Sequence, residues 1–205
     1  MFFNIFLTIN DAAGLAYMGK RYSDLILDFI LDLGGCSGDS AEMAELVEHL
    51  FLFGPAYKGI PLAAIAAEWL YREQGLNFRW GYDRKEAKTH GEKGGAESPE
   101  SLLDGDVHDG DRVIIIDDIL TEGTAKQEVI DKISAYASAK GIEVSIAGIA
   151  TFVDRWEGGQ ELRAQYPVCA VLRMDHVAKE AFDQALISQE DYDRYVDYFQ
   201  QYRLD

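Results

Sequence analysis

Apolar and polar positions follow two periods along this chain, and the switches between them predict its elements. Residues 2–9 are rich in β-formers and read as a strand. In residues 11–33, Leu15, Met18, Tyr22, Leu25, Ile26 and Phe29 recur at steps of three and four, which predicts an amphipathic helix. Residues 34–40 are glycine- and serine-rich and read as a loop, with Ser40 placed to cap a short helix up to His49. LFLFG, residues 50–54, is a short apolar strand ending in glycine. Residues 61–74 predict a helix with Pro61 near its first turn, where a missing N–H does no harm. Residues 76–82 alternate weakly, as a strand does. Further on, residues 112–116 form a buried strand, and 124–140 a helix with Val129, Ile130, Ile133 and Tyr136 on one face. Apolar strands follow at 143–152 and 168–172, and Ser188 opens a last helix.

Strands that alternate with helices predict an α/β fold: a mainly parallel sheet flanked by helices on both faces. Ligands in such sheets bind beyond the carboxyl ends of the strands. That rule points to the turns after Phe53, Ile116 and Phe152. Residues 83–110 break the alternation. They are charged and glycine-bearing, and a stretch this long without periodicity is expected to be functional or disordered. It leaves room for a strand pair that the pattern does not reveal.

The chemistry concentrates in RVIIIDDILTEGTA, residues 112–125. An apolar strand runs into Asp117 and Asp118, which point to opposite sides of an extended chain and are expected to have separate tasks. Buried there, they need partners. Thr121, Glu122, Gly123 and Thr124 then lead into a helix. A polar, glycine-containing turn before a helix offers N–H groups and a favourable dipole to an anion, most simply a phosphate. Two acids beside a phosphate cradle suit a ligand that carries both hydroxyls and phosphate, such as a phosphorylated ribose. The plainer alternative is that the acids only end the strand. Glu122 is expected to point to solvent while its backbone faces the phosphate.

Composition narrows the partners. The 205 residues suit a single domain with a sizeable core. With 36 acidic against 19 basic residues, the net charge of −17 disfavours nucleic acid. Four of the cations, Arg84, Lys85, Lys88 and Lys93, nevertheless fall within ten residues, with His90 among them. Such a run is either a solvated loop or a basic lid. Cys36 and Cys169 have no ligand spacing and read as reduced and inert. No uncharged run approaches the ~18 residues of a membrane span, and the start lacks the features of a signal peptide, so the expected compartment is the cytoplasm.

VIIIDDILTEGTA resembles the phosphoribosyl-diphosphate signature of type I phosphoribosyltransferases. LFGPAYKGIPLA (residues 52–63), YDRKEAKTHGEKG (82–94) and TFVDR (151–155) further resemble orotate phosphoribosyltransferase, in order and over most of the chain. The resemblance implies a type I phosphoribosyltransferase fold, residues 1–205 as one domain, and transfer of phosphoribose to orotate in UMP biosynthesis. It implies Mg²⁺ as cofactor, held mainly by substrate with no direct protein ligand. It also implies a homodimer whose loop, within residues 83–110, closes over the neighbouring subunit's site. Tyr57, Lys58, Arg84, Lys85, Lys88 and His90 are then expected at the phosphoribosyl diphosphate. Asp117, Asp118, Ile119, Leu120, Thr121, Glu122, Gly123, Thr124 and Ala125 are expected at its ribose and 5′-phosphate. Phe2, Phe3, Thr121 and Arg155 are expected at orotate, with Arg155 gripping its carboxylate bidentately. Lys88, Asp117 and Asp118 are the expected catalytic residues. Members of the family carry a longer N-terminal segment that forms a hood over orotate, so the hood is expected to be incomplete here, with residues 1–10 as its remnant. Residues 34–40 and 96–109 look like insertions. Two other readings stay open: a transferase for another base, and a non-catalytic sensor of phosphoribosyl diphosphate.

Overall fold

A computed structural model describes residues 11–34, 40–84 and 103–203. Helix α1 (Ala12–Gly34) starts where Asp11 Oδ1 accepts the N–H of Gly14 at 2.7 Å, satisfying one of the donors that a helix start leaves over. The order continues with α2 (Ser40–Glu48), β1 (Leu50–Gly54), α3 (Gly59–Gln74), β2 (Arg79–Asp83), β3 (Leu103–Asp104), β4 (Asp111–Leu120) and α4 (Thr124–Lys140). It ends with β5 (Val144–Asp154), α5 (Gln160–Gln165), β6 (Val168–Arg173), α6 (Met174–Asp183) and α7 (Gln189–Tyr202). Ser188 caps α7 as expected, its hydroxyl accepting the N–H of Asp191.

The strands form one sheet in the order β3-β2-β1-β4-β5-β6. Every pairing is parallel except β2 with β3. Tyr82 stands opposite Asp104 and Asp83 opposite Leu103, so among the described residues the segment 83–110 adds one short strand, β3, to the already expected β2 rather than a strand pair of its own. Alternate residues of the central strands feed two cores. Leu50, Leu52, Ile114 and Ile116 pack with Tyr22, Ile26, Leu62 and Leu70 of α1 and α3. Phe51, Phe53, Val113 and Ile115 pack with Val129, Ile130, Ile133 and Tyr136 of α4. The sheet is thus covered on both faces. Each buried aliphatic or aromatic side chain contributes roughly 1.5–3 kcal/mol.

Two boundaries differ from the sequence reading in ways that matter. Strand β4 does not stop at Ile116. It carries both acids and runs to Leu120, because β5 stays paired with it as far as Asp154. Helix α3 starts at Gly59, so Lys58 ends the connection from β1. The helices α5 and α6 were not expected. The strand read into residues 2–9, the loop after Gly34 and Cys36 lie outside the described residues.

From β1 the chain builds outward to β2 and β3, then returns to the other side of β1 to lay down β4, β5 and β6. The direction of winding reverses between β1 and β4. The carboxyl ends of these two strands therefore diverge into a crevice, the expected ligand position in such a sheet. Close packing sets its width. A Cβ built on Gly54 would lie 2.2 Å from the carbonyl oxygen of Gly59, and one on Gly59 would lie 2.7 Å from that of Ile116. Gly54→Ala is expected to lower stability by about 2–4 kcal/mol, since backbone rather than a flexible side chain must move. Urea unfolding would measure it. An unchanged midpoint would show that the β1–α3 junction is loose.

Candidate active site

Asp117 and Asp118 stand at the β1–β4 crevice with a lysine each. Adjacent on the strand, they meet different partners, and their two carboxyls still lie near enough to act on each other. Asp117 meets Lys126, from the first turn of α4, in a very short ion pair. The same ammonium donates to the carbonyl of Ile119 at 2.9 Å. The other oxygen of Asp117 accepts the N–H of Asp118 at 2.9 Å. Asp118 meets Lys58 Nζ through Oδ2 at 2.7 Å. Beneath the pair, the Tyr22 hydroxyl donates to the carbonyl of Asp117 at 2.6 Å. Burial first, then the charges of Asp117 and Asp118, push the Tyr22 hydroxyl far above its usual range, so it stays a neutral donor.

The turn behind the acids is open to an anion. Gly123 occupies the N-cap of α4 at φ 87°, a left-handed conformation that glycine adopts without strain, and no side chain caps the helix. Among the described residues nothing accepts from the N–H groups of Thr124 and Ala125. Thr124, Ala125 and Glu122 are exposed. A Cβ on Gly158 would lie 3.4 Å from Glu122 Cγ, so the side chain of Glu122 lies over the β5–α5 connection. Glu122, Gly123, Thr124 and Gln127 also line an open groove of about 370 Å³ with Gly159–Leu162. Ile119 and Leu120 belong to the strand. Ile119 packs against the α1 side and Leu120 is buried against the α4 side, so they shape the floor through backbone alone.

The opposite wall is the connection from β1 to α3. Its Ala56–Tyr57 peptide is cis. Tyr57 is 65% exposed and projects from it. Asp83, buried at the end of β2, accepts the N–H of Ala56 at 2.6 Å and the ammonium of Lys132 at 2.6 Å. One carboxylate so ties this connection to β2 and α4. Arg84 pairs closely with Asp104 across the β2–β3 ladder, and that hydrogen bond raises its pKa further.

Arg155 stands at the end of β5, and its backbone N–H donates to the carbonyl of Leu120 at 3.0 Å, joining the two turns. Its Nη2 donates to Glu157 Oε1 and to the Tyr198 hydroxyl, both at 2.9 Å. Both two-point edges of a guanidinium include this nitrogen. The expected bidentate grip on a ligand carboxylate therefore requires one of these partners to give way.

The chain that builds this crevice has relatives among known proteins. The phosphoribosyl transferase domain family matches residues 42–180. The chain is 32% identical to the orotate phosphoribosyltransferase of Acinetobacter baylyi, across 93% of this chain and 80% of that one. The chain belongs to the orotate phosphoribosyltransferase family. The Pseudomonas fluorescens orotate phosphoribosyltransferase is 35% identical across 92% of this chain and 78% of its own. The crystal structure of the Francisella tularensis enzyme of that name superposes with a TM-score of 0.69 at 26% identity. That match covers 99% of this chain and 86% of the other.

Of the site residues that family resemblance assigned, the fold brings Tyr57, Lys58, Asp117, Asp118 and the turn Thr121–Ala125 to one crevice. Arg84 and Arg155 lie at its flanks, engaged with Asp104 and Glu157. Phe2, Phe3, Lys85, Lys88 and His90 lie outside the described residues. The sequence reading missed Asp83, Lys126 and Lys132. Lys126 carried a signal, since a lysine on the buried side of an amphipathic helix needs an acid opposite.

Burial holds the Asp118 carboxyl above the usual carboxylate range, with the charge of Asp117 adding to it and Lys58 opposing it. A carboxyl raised in the folded state favours folding below its unfolded pKa of about 3.9, and that contribution is lost as pH rises through the folded value. The ionised group therefore opposes folding at pH 7. Asp118→Asn is expected to raise the melting temperature at pH 7 by about 1–3 °C, with no gain at pH 3.5. Scanning calorimetry at the two pH values checks this, and a lower melting point at pH 7 would refute it.

Proposed function

We propose that this chain transfers the phosphoribosyl group of 5-phospho-α-D-ribose 1-diphosphate to orotate, giving orotidine 5′-monophosphate and diphosphate in UMP biosynthesis. The observation that carries the reading is the acid pair and open phosphate turn at the β1–β4 crevice, faced by Lys58, in a chain of this family. The active form is a cytoplasmic homodimer.

Orotate N1 replaces diphosphate on C1 of the ribose. Positive charge develops on the ribose ring and negative charge on the leaving group, so the protein's work is positioning and electrostatics. The turn Thr121–Ala125 takes the 5′-phosphate on its N–H groups. The acid-bearing end of β4 orients the ribose hydroxyls, and the charge of Asp117 and Asp118 favours the developing cation. Tyr57 and Lys58 take the diphosphate, with Arg84, Lys85, Lys88 and His90 closing over it. Lys88, from the partner subunit, stabilises the leaving group. Arg155 and Thr121 orient orotate, with Phe2 and Phe3 against its ring.

Among the described residues no cluster of three or more His, Cys, Asp or Glu could cage a metal. Mg²⁺ would be carried mainly on the substrate's own oxygens, because this ion gives up its water reluctantly, and there it would offset diphosphate charge.

Lys88→Ala is expected to lower turnover by about 10²-fold or more, the scale of losing a preorganised charge-stabilising donor. Diphosphate release with orotate, adenine, guanine and uracil as acceptors measures both rate and base choice. Release with a purine or uracil but not orotate would assign another base. Ligand binding with no release under any base would make the chain a sensor. Hybrid dimers of Lys88→Ala and Arg155→Ala chains are expected to recover activity. Demonstrated subunit exchange without recovery would remove the shared site.

A further inference from the structure

The two acids are not equivalent, and their lysines explain why. Asp117 has both carboxylate oxygens engaged, one by Lys126 and one by the N–H of Asp118. The Lys126 side chain is 7% exposed and is also anchored on the Ile119 carbonyl. Asp118 has one oxygen on Lys58, and among the described residues nothing donates to its Oδ1. The Lys58 side chain is 44% exposed and sits on the connection before α3. One lysine is thus fixed inside the fold, and the other is free to leave toward the crevice.

Resting on the phosphoribosyl-diphosphate reading above, we infer that Asp118 alone takes the ribose hydroxyls, in exchange for Lys58, while Lys126 is a positioning residue that holds Asp117 out of that exchange. The exchange keeps the buried carboxylate hydrogen-bonded and gives the lysine a new anionic partner. As Lys58 swings to the diphosphate, the hydroxyls take its place on Asp118. Asp117 has no such release, because Lys126 is buried, is anchored on the Ile119 carbonyl and pairs with no other acid among the described residues. Its carboxylate keeps the strand end and the first turn of α4 joined, directly beneath the phosphate turn. In this chain the paired acids therefore divide binding and bracing.

Calorimetric titration of the full-length chain with 5-phospho-α-D-ribose 1-diphosphate and Mg²⁺ separates the two roles, with thermal melting alongside. Asp118→Asn is expected to weaken binding about 30-fold or more, the scale of a lost charged hydrogen bond. Lys126→Met leaves the charge of Asp117 unpaired beside Asp118 and is expected to weaken binding about tenfold. Lys126→Arg restores it. Adding Asp117→Asn to Lys126→Met is expected to recover affinity, a non-additivity that simple loss of structure does not produce. This paired variant leaves no unpaired charge at positions 117 and 126 and carries the comparison with Asp118→Asn if Lys126→Met alone fails to fold. A paired variant as weak as Asp118→Asn would overturn the division, because Asp117 would then be a ribose ligand itself. No binding by the wild-type chain would overturn the activity reading and this inference with it. Wild-type binding with equal losses at both acids overturns only the inference.

Discussion

The fold is organised around negative charge that must be buried at a sheet edge. Asp117 and Asp118 sit near the end of the central strand, where β4 is paired on one side with β5 and flanked on the other by the end of β1. Carboxylates in such a position are costly unless neutralised and hydrogen-bonded. The structure meets that demand with Lys126 from α4 and Lys58 from the β1–α3 connection, while the Tyr22 hydroxyl from α1 holds the backbone carbonyl of Asp117. The same groups fix where these elements end, and so fix the crevice between them. Burial keeps Asp118 easier to protonate than an ordinary carboxylate, a local instability held by the packing around it.

The surrounding charges continue the pattern. Asp83 ties the Ala56 amide to Lys132 of α4, so the wall that carries Tyr57 and Lys58 is anchored to the helix that follows the Thr121–Gly123 turn. Asp154 holds Arg163 through two hydrogen bonds of 2.7 and 2.8 Å. Glu157 and Tyr198 hold Arg155. An acidic chain builds a site for an anionic substrate by assigning many of its cations to specific buried acids. In the proposed reaction, backbone N–H groups and a mobile lysine such as Lys58 would receive the phosphates.

The local signals in the sequence carried most of the fold. Strands β1, β4 and β6 and helix α4 are continuous periodic runs with glycine or charged ends, and each was legible. The turn before α4 was legible too, because Gly123 and its neighbours are contiguous. What was not legible is long-range or unpunctuated. Helix α6 begins at Met174 directly after Arg173 ends β6, with no turn residue between them. The end of β4 was misplaced because two acids interrupt its apolar run, and only pairing with β5 keeps it extended. The partners of Arg155 and Asp83 lie up to 43 and 49 residues away, beyond any spacing rule. The separate tasks expected of the two acids followed from strand geometry alone, but which acid does what depends on the lysine each one meets.

A crystal structure of the chain with 5-phospho-α-D-ribose 1-diphosphate and Mg²⁺ bound tests this account most directly. It should place the ribose hydroxyls on Asp118, Lys58 on the diphosphate, and Lys126 still on Asp117. Ribose hydroxyls on Asp117 with Lys126 displaced, or a ligand bound away from the β1–β4 crevice, would contradict it.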